Sequence, residues 1–127
     1  MSELKLTENK ALGEKYYYTH HKSGLDIYII PKNFTTSYAL FSTKYGAIDN
    51  CFRLAGDKEF TRVPDGIAHF LEHKMFENED GSDTFARFAK YGADANAFTG
   101  SAMTAYLFSC SDHFEENLEI RSEEHTS

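Results

Sequence analysis

The chain has 127 residues, 20 acidic against 13 basic side chains, and a formal net charge of −7. That length suits one domain or part of a larger one, and 41% apolar residues with eleven Phe and eight Tyr are enough for a modest core and exclude wholesale disorder. The acidic balance argues against a nucleic-acid partner, whose phosphates need clustered Lys and Arg, and two cysteines, Cys51 and Cys110, are too few for a disulfide scaffold and form no metal motif, which favours a reducing compartment. Met1 to Lys15 has no apolar targeting segment and no stretch reaches the length of a membrane span, so the expectation is a soluble, cytoplasmic protein without a membrane partner.

In chain order, residues 1–15 read as a solvated N-terminal arm. Tyr16 to His20 and Leu25 to Ile30 read as two strands joined at Lys22-Ser23-Gly24, with Leu25, Ile27 and Ile29 on one face and Pro31 as the stop. A third strand is expected from Tyr38 to Tyr45, with Ala39, Phe41, Thr43 and Tyr45 on one face. Periodicity is lost from Gly46 to Val63. Pro64 suits a first helical turn, and a helix is expected from about Asp65 to Phe76. After the polar break 77–81, Ser82 can cap a second helix from Asp83 to Tyr91, with Phe85, Phe88 and Ala89 as its buried stripe and Gly92 as its left-handed end. Asp94 to Thr99 and Met103 to Cys110 read as a second hairpin, with Thr104, Tyr106 and Phe108 sharing a face. Ser111 and Asp112 can cap a last helix containing Phe114 and Leu118. The fold class expected from this order is α+β, a mainly antiparallel sheet with helices packed on one face.

The segment that carries chemistry is His69-Phe70-Leu71-Glu72-His73. On a helix His69 and His73 lie about 40° apart and one turn along the same face, so both imidazoles can reach one ion, with Glu72 beside them. Ile67, Leu71 and Met75 gather on the opposite side and can anchor the helix. Neutral imidazoles bind zinc well, a catalytic site keeps a place for water, and a carboxylate beside the ion can accept that water's proton. H-x-x-E-H is the inverse of H-E-x-x-H, and both are zinc-peptidase signatures. Taken on spacing alone, the same three residues also suit a solvated helix face.

The flanking residues narrow that choice. Pro64 to Glu77 resembles the zinc helix of the pitrilysin/insulinase family of metallopeptidases. Tyr45-Gly46-Ala47-Ile48-Asp49-Asn50, Ala95-Asn96-Ala97-Phe98-Thr99 and Thr104 to Ser109 are also similar to that family. Within it they resemble most a bacterial branch associated with aminopentanol modification of elongation factor P. The resemblance spans roughly residues 16 to 120. It implies Zn2+ as cofactor, His69 and His73 as metal ligands, and Glu72 as the general base. It also implies a peptide substrate added as a strand beside Asn96 and Ala97. Glu77, one turn beyond His73, could orient a ligand or stand as a solvated carboxylate. The function implied is a zinc-dependent metalloendopeptidase subunit hydrolysing peptide bonds. The alternative is a non-catalytic peptide-binding or assembly subunit beside a paralogous peptidase-like partner.

In the family a third ligand, a Glu, follows about 75 residues past the second His, which falls beyond Ser127. Residues 16–120 are therefore expected to be the truncated N-terminal part of a peptidase domain, inactive alone and holding zinc weakly. Arg121 to Ser127 turns wholly polar where an amphipathic helix should continue. That heptad is one translation of a common sequencing adapter and reads as a non-native tail.

Overall fold

The computed structural model describes residues 3–77 and 81–123, and the chain divides into two compact units, residues 1–34 and 35–127. Residues 78–80 of the expected polar break and residues 124–127 of the expected tail lie outside the described residues.

The first unit is a three-stranded antiparallel sheet of β1 (Lys5–Asn9), β2 (Glu14–His20) and β3 (Asp26–Ile29), in that order. The segment read as an arm therefore holds a strand, although every residue of β1 is exposed. The β2–β3 hairpin matches the sequence reading. Tyr18 pairs with Tyr28 across the ladder, and their rings lie 5.0 Å apart, a cross-strand aromatic contact of the kind that stabilises sheets. The Tyr18 hydroxyl donates to Asp26 Oδ1 at 2.8 Å, and His20 Nδ1 meets the same oxygen at 2.8 Å. The hydrogen bond to Asp26 raises the Tyr18 pKa above its ordinary value, because ionised tyrosine would lose the donor.

The second unit runs β4 (Ser37–Thr43), a short ladder of β5 (Cys51–Phe52) with β6 (Thr61–Arg62), α1 (Ile67–Lys74), α2 (Thr84–Lys90), β7 (Ala93–Thr99), β8 (Thr104–Cys110) and α3 (Phe114–Glu123). Its main sheet has the order β4-β8-β7 and is antiparallel throughout. Strand alternation places Ala39 and Phe41 of β4, Tyr106 and Phe108 of β8, and Ala95 and Ala97 of β7 in register on one face. All three helices pack there. Phe76, just past α1, meets Tyr106, Phe88 of α2 meets Phe108, and Phe114 of α3 meets Phe108. The small Ala95 and Ala97, opposite Phe108 and Tyr106, leave room for that approach. The core gathers Phe88, Ala93, Phe108, Cys110 and Ile120. The α+β class and the helix-covered face are as expected.

Several details differ. α1 is shorter than Asp65 to Phe76 because Gly66 sits before it at φ 85°, a left-handed conformation that costs a non-glycine residue and breaks the helical run. Pro64 thus precedes the helix and does not occupy its first turn. The cap of α2 is Asp83, whose side chain accepts from the Phe85 amide at 2.8 Å, and not Ser82. The buried residues of α2 are Thr84 and Phe88, whereas Phe85 and Ala89 are exposed. Phe85 lies outside the core, its ring stacked on Phe76 with centroids 4.4 Å apart and planes 10° from parallel.

Where the sequence turns wholly polar, α3 continues to Glu123. Arg121, first residue of the heptad, is buried. Its guanidinium lies over the rings of Phe88, Phe76 and Tyr106 at 4.9, 5.1 and 5.7 Å, and Nη2 donates to the Leu107 carbonyl at 3.3 Å. A planar, weakly hydrated cation suits such aromatic faces.

Candidate active site

α1 lies against β7 and β8, and the face it buries is not the one the wheel selected. Ala68 and Glu72 are buried, together with Phe76 just beyond the helix, while Leu71 is 47% exposed. The buried stripe is thus rotated by about one residue from Ile67, Leu71 and Met75, and Glu72 belongs to it. A carboxylate can lie there only if it is hydrogen-bonded, because an unpaired buried charge is costly. Its partner is Thr99 at the end of β7, whose hydroxyl donates to Glu72 Oε2 at 2.7 Å. Glu72 is only 7% exposed.

His69 and His73 flank Glu72 on the open side of the helix, and both are exposed. Their Nε2 atoms lie 3.0 Å apart, with ring centroids at 4.8 Å. Two nitrogens bound tetrahedrally to one zinc at about 2.0–2.1 Å would be about 3.3 Å apart. The pair therefore fits two corners of a zinc site with only small ring adjustments. Among the described residues, no group of three or more His, Cys, Asp or Glu side chains converges to hold a metal, so these two imidazoles are a partial donor set.

The two histidines and Glu72 open into a cleft of about 650 Å³, also lined by Phe76, Glu77, Asp83, Phe85, Asn96, Ala97, Phe98 and Thr99. Every sequence-selected site residue borders this one space. Glu77 stands on the rim, ion-paired with Lys74 at 2.6 Å. Thr99, Asp83 and Phe85 were not selected as site residues. Thr99 is 27 residues from Glu72, and no periodicity connects a strand end to a helix so distant in sequence.

β7 is an edge of its sheet among the described residues. Gly100 N donates to Met103 O at 2.8 Å, which makes Gly100 and Met103 a hydrogen-bonded pair. Such pairs alternate with non-bonded ones along an antiparallel ladder. Thr99 and Ala97, opposite Thr104 and Tyr106, therefore turn their backbone groups toward the open edge. The Asn96 side-chain oxygen accepts from the Ala97 amide at 2.8 Å, so this residue caps one of the edge donors itself.

The loop after β4 fixes the hairpin that carries this edge. Ala47 N donates to Gly100 O at 2.9 Å and Ile48 N to Ser101 O at 3.0 Å, while Thr104 Oγ1 donates to Tyr45 O at 2.8 Å. Asn50 Nδ2 reaches Asp65 Oδ1 at 2.7 Å, which ties the loop to the approach of α1. Gly46 lies so close to the hairpin that a Cβ there would sit 2.5 Å from Met103 N and Ser101 O.

Residues 56–123 match the family described as Insulinase (Peptidase family M16), and the chain belongs to that family. It is 53% identical over 117 residues to the uncharacterized zinc protease YmfH of Bacillus subtilis (strain 168), covering 91% of this chain and 27% of that protein. It is 37% identical over 78 residues to the putative zinc protease AlbF of the same strain, covering 60% of this chain and 17% of that protein. Among solved structures it resembles a putative M16-like peptidase from Alicyclobacillus acidocaldarius, with a TM-score of 0.82, 36% identity, and coverage of 95% of this chain and 27% of that one. The chain thus spans about a quarter, or less, of the length of these proteins. Among the described residues no helix is long and apolar enough to cross a membrane.

Proposed function

We propose that this chain supplies the ligand helix, the general base and the peptide-docking edge of a zinc-dependent endopeptidase. One observation carries the reading: two Nε2 atoms converge to 3.0 Å beside a buried carboxylate, in a cleft bordered by an open strand edge. His69 and His73 would hold the ion, and Zn2+ when bound would polarise the scissile carbonyl and acidify a water. Glu72 accepts that water's proton through the oxygen Thr99 leaves unoccupied and returns it to the leaving amine. An extended peptide pairs with the outward backbone groups of Ala97 and Thr99, displacing the Asn96 side chain from the Ala97 amide. Glu77 lines the rim of the cleft, paired with Lys74.

Two imidazoles leave the coordination short of the three ligands a catalytic zinc takes, so the isolated chain binds zinc weakly and turns over little or no peptide. On Tyr45 to Asn50 and Ala95 to Thr99 we assign the chain to the bacterial branch associated with elongation factor P modification. The free thiols of Cys51 and Cys110 support a cytoplasmic location.

The test has two parts. Zinc affinity of the isolated chain, read by competition with a chromogenic chelator, is lost in His69→Ala and in His73→Ala but kept in Glu72→Gln. The chain is then grafted in place of the matching quarter of the Bacillus subtilis relative, whose own hydrolysis of a quenched peptide library is measured first. The chimera retains that activity, and Glu72→Gln lowers it by about 10²–10⁴-fold, the range for a general base. Zinc binding that is indifferent to both histidines, or turnover that survives Glu72→Gln, refutes the reading.

A further inference from the structure

We propose that Thr99 is a positioning residue that holds the Glu72 carboxylate in register with whatever strand pairs with the β7 edge. The role it names rests on the peptidase reading above, but the contact itself does not. The Thr99 hydroxyl donates to Glu72 Oε2 at 2.7 Å, the one side-chain hydrogen bond to that carboxylate among the described residues. A glutamate has three rotatable side-chain bonds, and its terminal torsion is broad. Threonine is stiff at χ1, so the strand backbone aims its hydroxyl. With Oε2 occupied, Oε1 is the oxygen left to face the cleft and the two histidines.

The backbone of the same residue points toward the open edge, as the register opposite Thr104 requires. One residue therefore touches both partners of the reaction: the base through its side chain and the incoming strand through its main chain. Its own position is set by the Ala47, Ile48 and Tyr45 hydrogen bonds to the hairpin. The Thr99 hydroxyl thus links the helix to a strand 27 residues further along the chain.

The experiment compares wild type, Thr99→Val and Thr99→Ser. Valine keeps the shape and removes the donor, and serine restores it. In the isolated chain, side-chain scalar couplings of Glu72 measured by NMR report one rotamer in wild type and in Thr99→Ser. They report averaging over several rotamers in Thr99→Val, with amide shifts distant from the site unchanged. In the chimera, Thr99→Val lowers kcat by about tenfold to a hundredfold, the cost typical of losing a group that orients a reacting one. KM stays within twofold, and Thr99→Ser recovers most of the loss. Averaging already present in wild type, a single Glu72 rotamer kept in Thr99→Val, or an unchanged kcat in that variant overturns the proposal. Turnover that survives Glu72→Gln sinks the peptidase reading instead, and the NMR couplings still decide whether Thr99 holds the carboxylate.

Discussion

Replacing Gly46 with alanine tests how the hairpin that carries Thr99 is held. In an ordinary backbone conformation Gly→Ala stabilises a protein by about 0.4–1 kcal/mol through the unfolded chain. Here the new Cβ would sit 2.5 Å from Met103 N and from Ser101 O, both backbone atoms, so no side-chain rotation can relieve the contact. Restoring an ordinary separation requires the Gly100–Met103 turn and the 46–48 loop to part by nearly 1 Å. Overpacking of that kind costs about 1–3 kcal/mol. It also strains the hydrogen bonds from Ala47 N to Gly100 O and from Ile48 N to Ser101 O, each worth about 1 kcal/mol. The steric and hydrogen-bond losses exceed the entropic gain, and Gly46→Ala is expected to destabilise the chain by about 3 kcal/mol. Urea unfolding followed by circular dichroism measures this as a lower midpoint at constant slope. Hydrogen exchange should show the Ala47 and Ile48 amides losing protection first. A variant as stable as wild type, or more so, would show that the close approach is not enforced in solution.

Other perturbations give separate readouts. Phe88, fully buried between Phe108 and the Arg121 guanidinium, should cost about 3–5 kcal/mol as Phe88→Ala, enough to consume much of a small domain's stability and visible as a large drop in melting temperature. Cys51 is exposed, whereas Cys110 is buried and its thiol pKa is raised by that burial. A thiol reagent should therefore modify one cysteine in the native protein and the second only on unfolding. Tyr18 should ionise above the ordinary tyrosine range and return toward it in Asp26→Ala, as followed by ultraviolet titration. Because its folded pKa is raised, the associated stabilisation is present below the unfolded value of about 10 and is lost as pH rises through the folded one. An unshifted Tyr18 in wild type would mean that the Asp26 hydrogen bond does not persist.

Much of the molecule was legible from its letters because the signals are local. The strand alternation of β4, β7 and β8, the helix-to-strand order and the one-turn spacing of His69 and His73 are each set within a few residues. The α+β class followed from them. The errors lie where a choice depended on a partner far along the chain. The wheel of α1 offers two plausible packing stripes, and nothing within residues 67–74 says that the stripe containing Glu72 is the buried one. The same holds for Phe85, whose ring stacks on Phe76 across the 77–83 connection.

The sequence by itself determined that two imidazoles and a carboxylate share one helical turn, because helical periodicity is a property of the backbone alone. Only the tertiary structure decided that the carboxylate turns inward against β7 while the imidazoles stay open to the cleft. The physical reason is that a buried carboxylate needs a donor, and the Thr99 hydroxyl that provides it reaches Glu72 only when strand and helix have packed together.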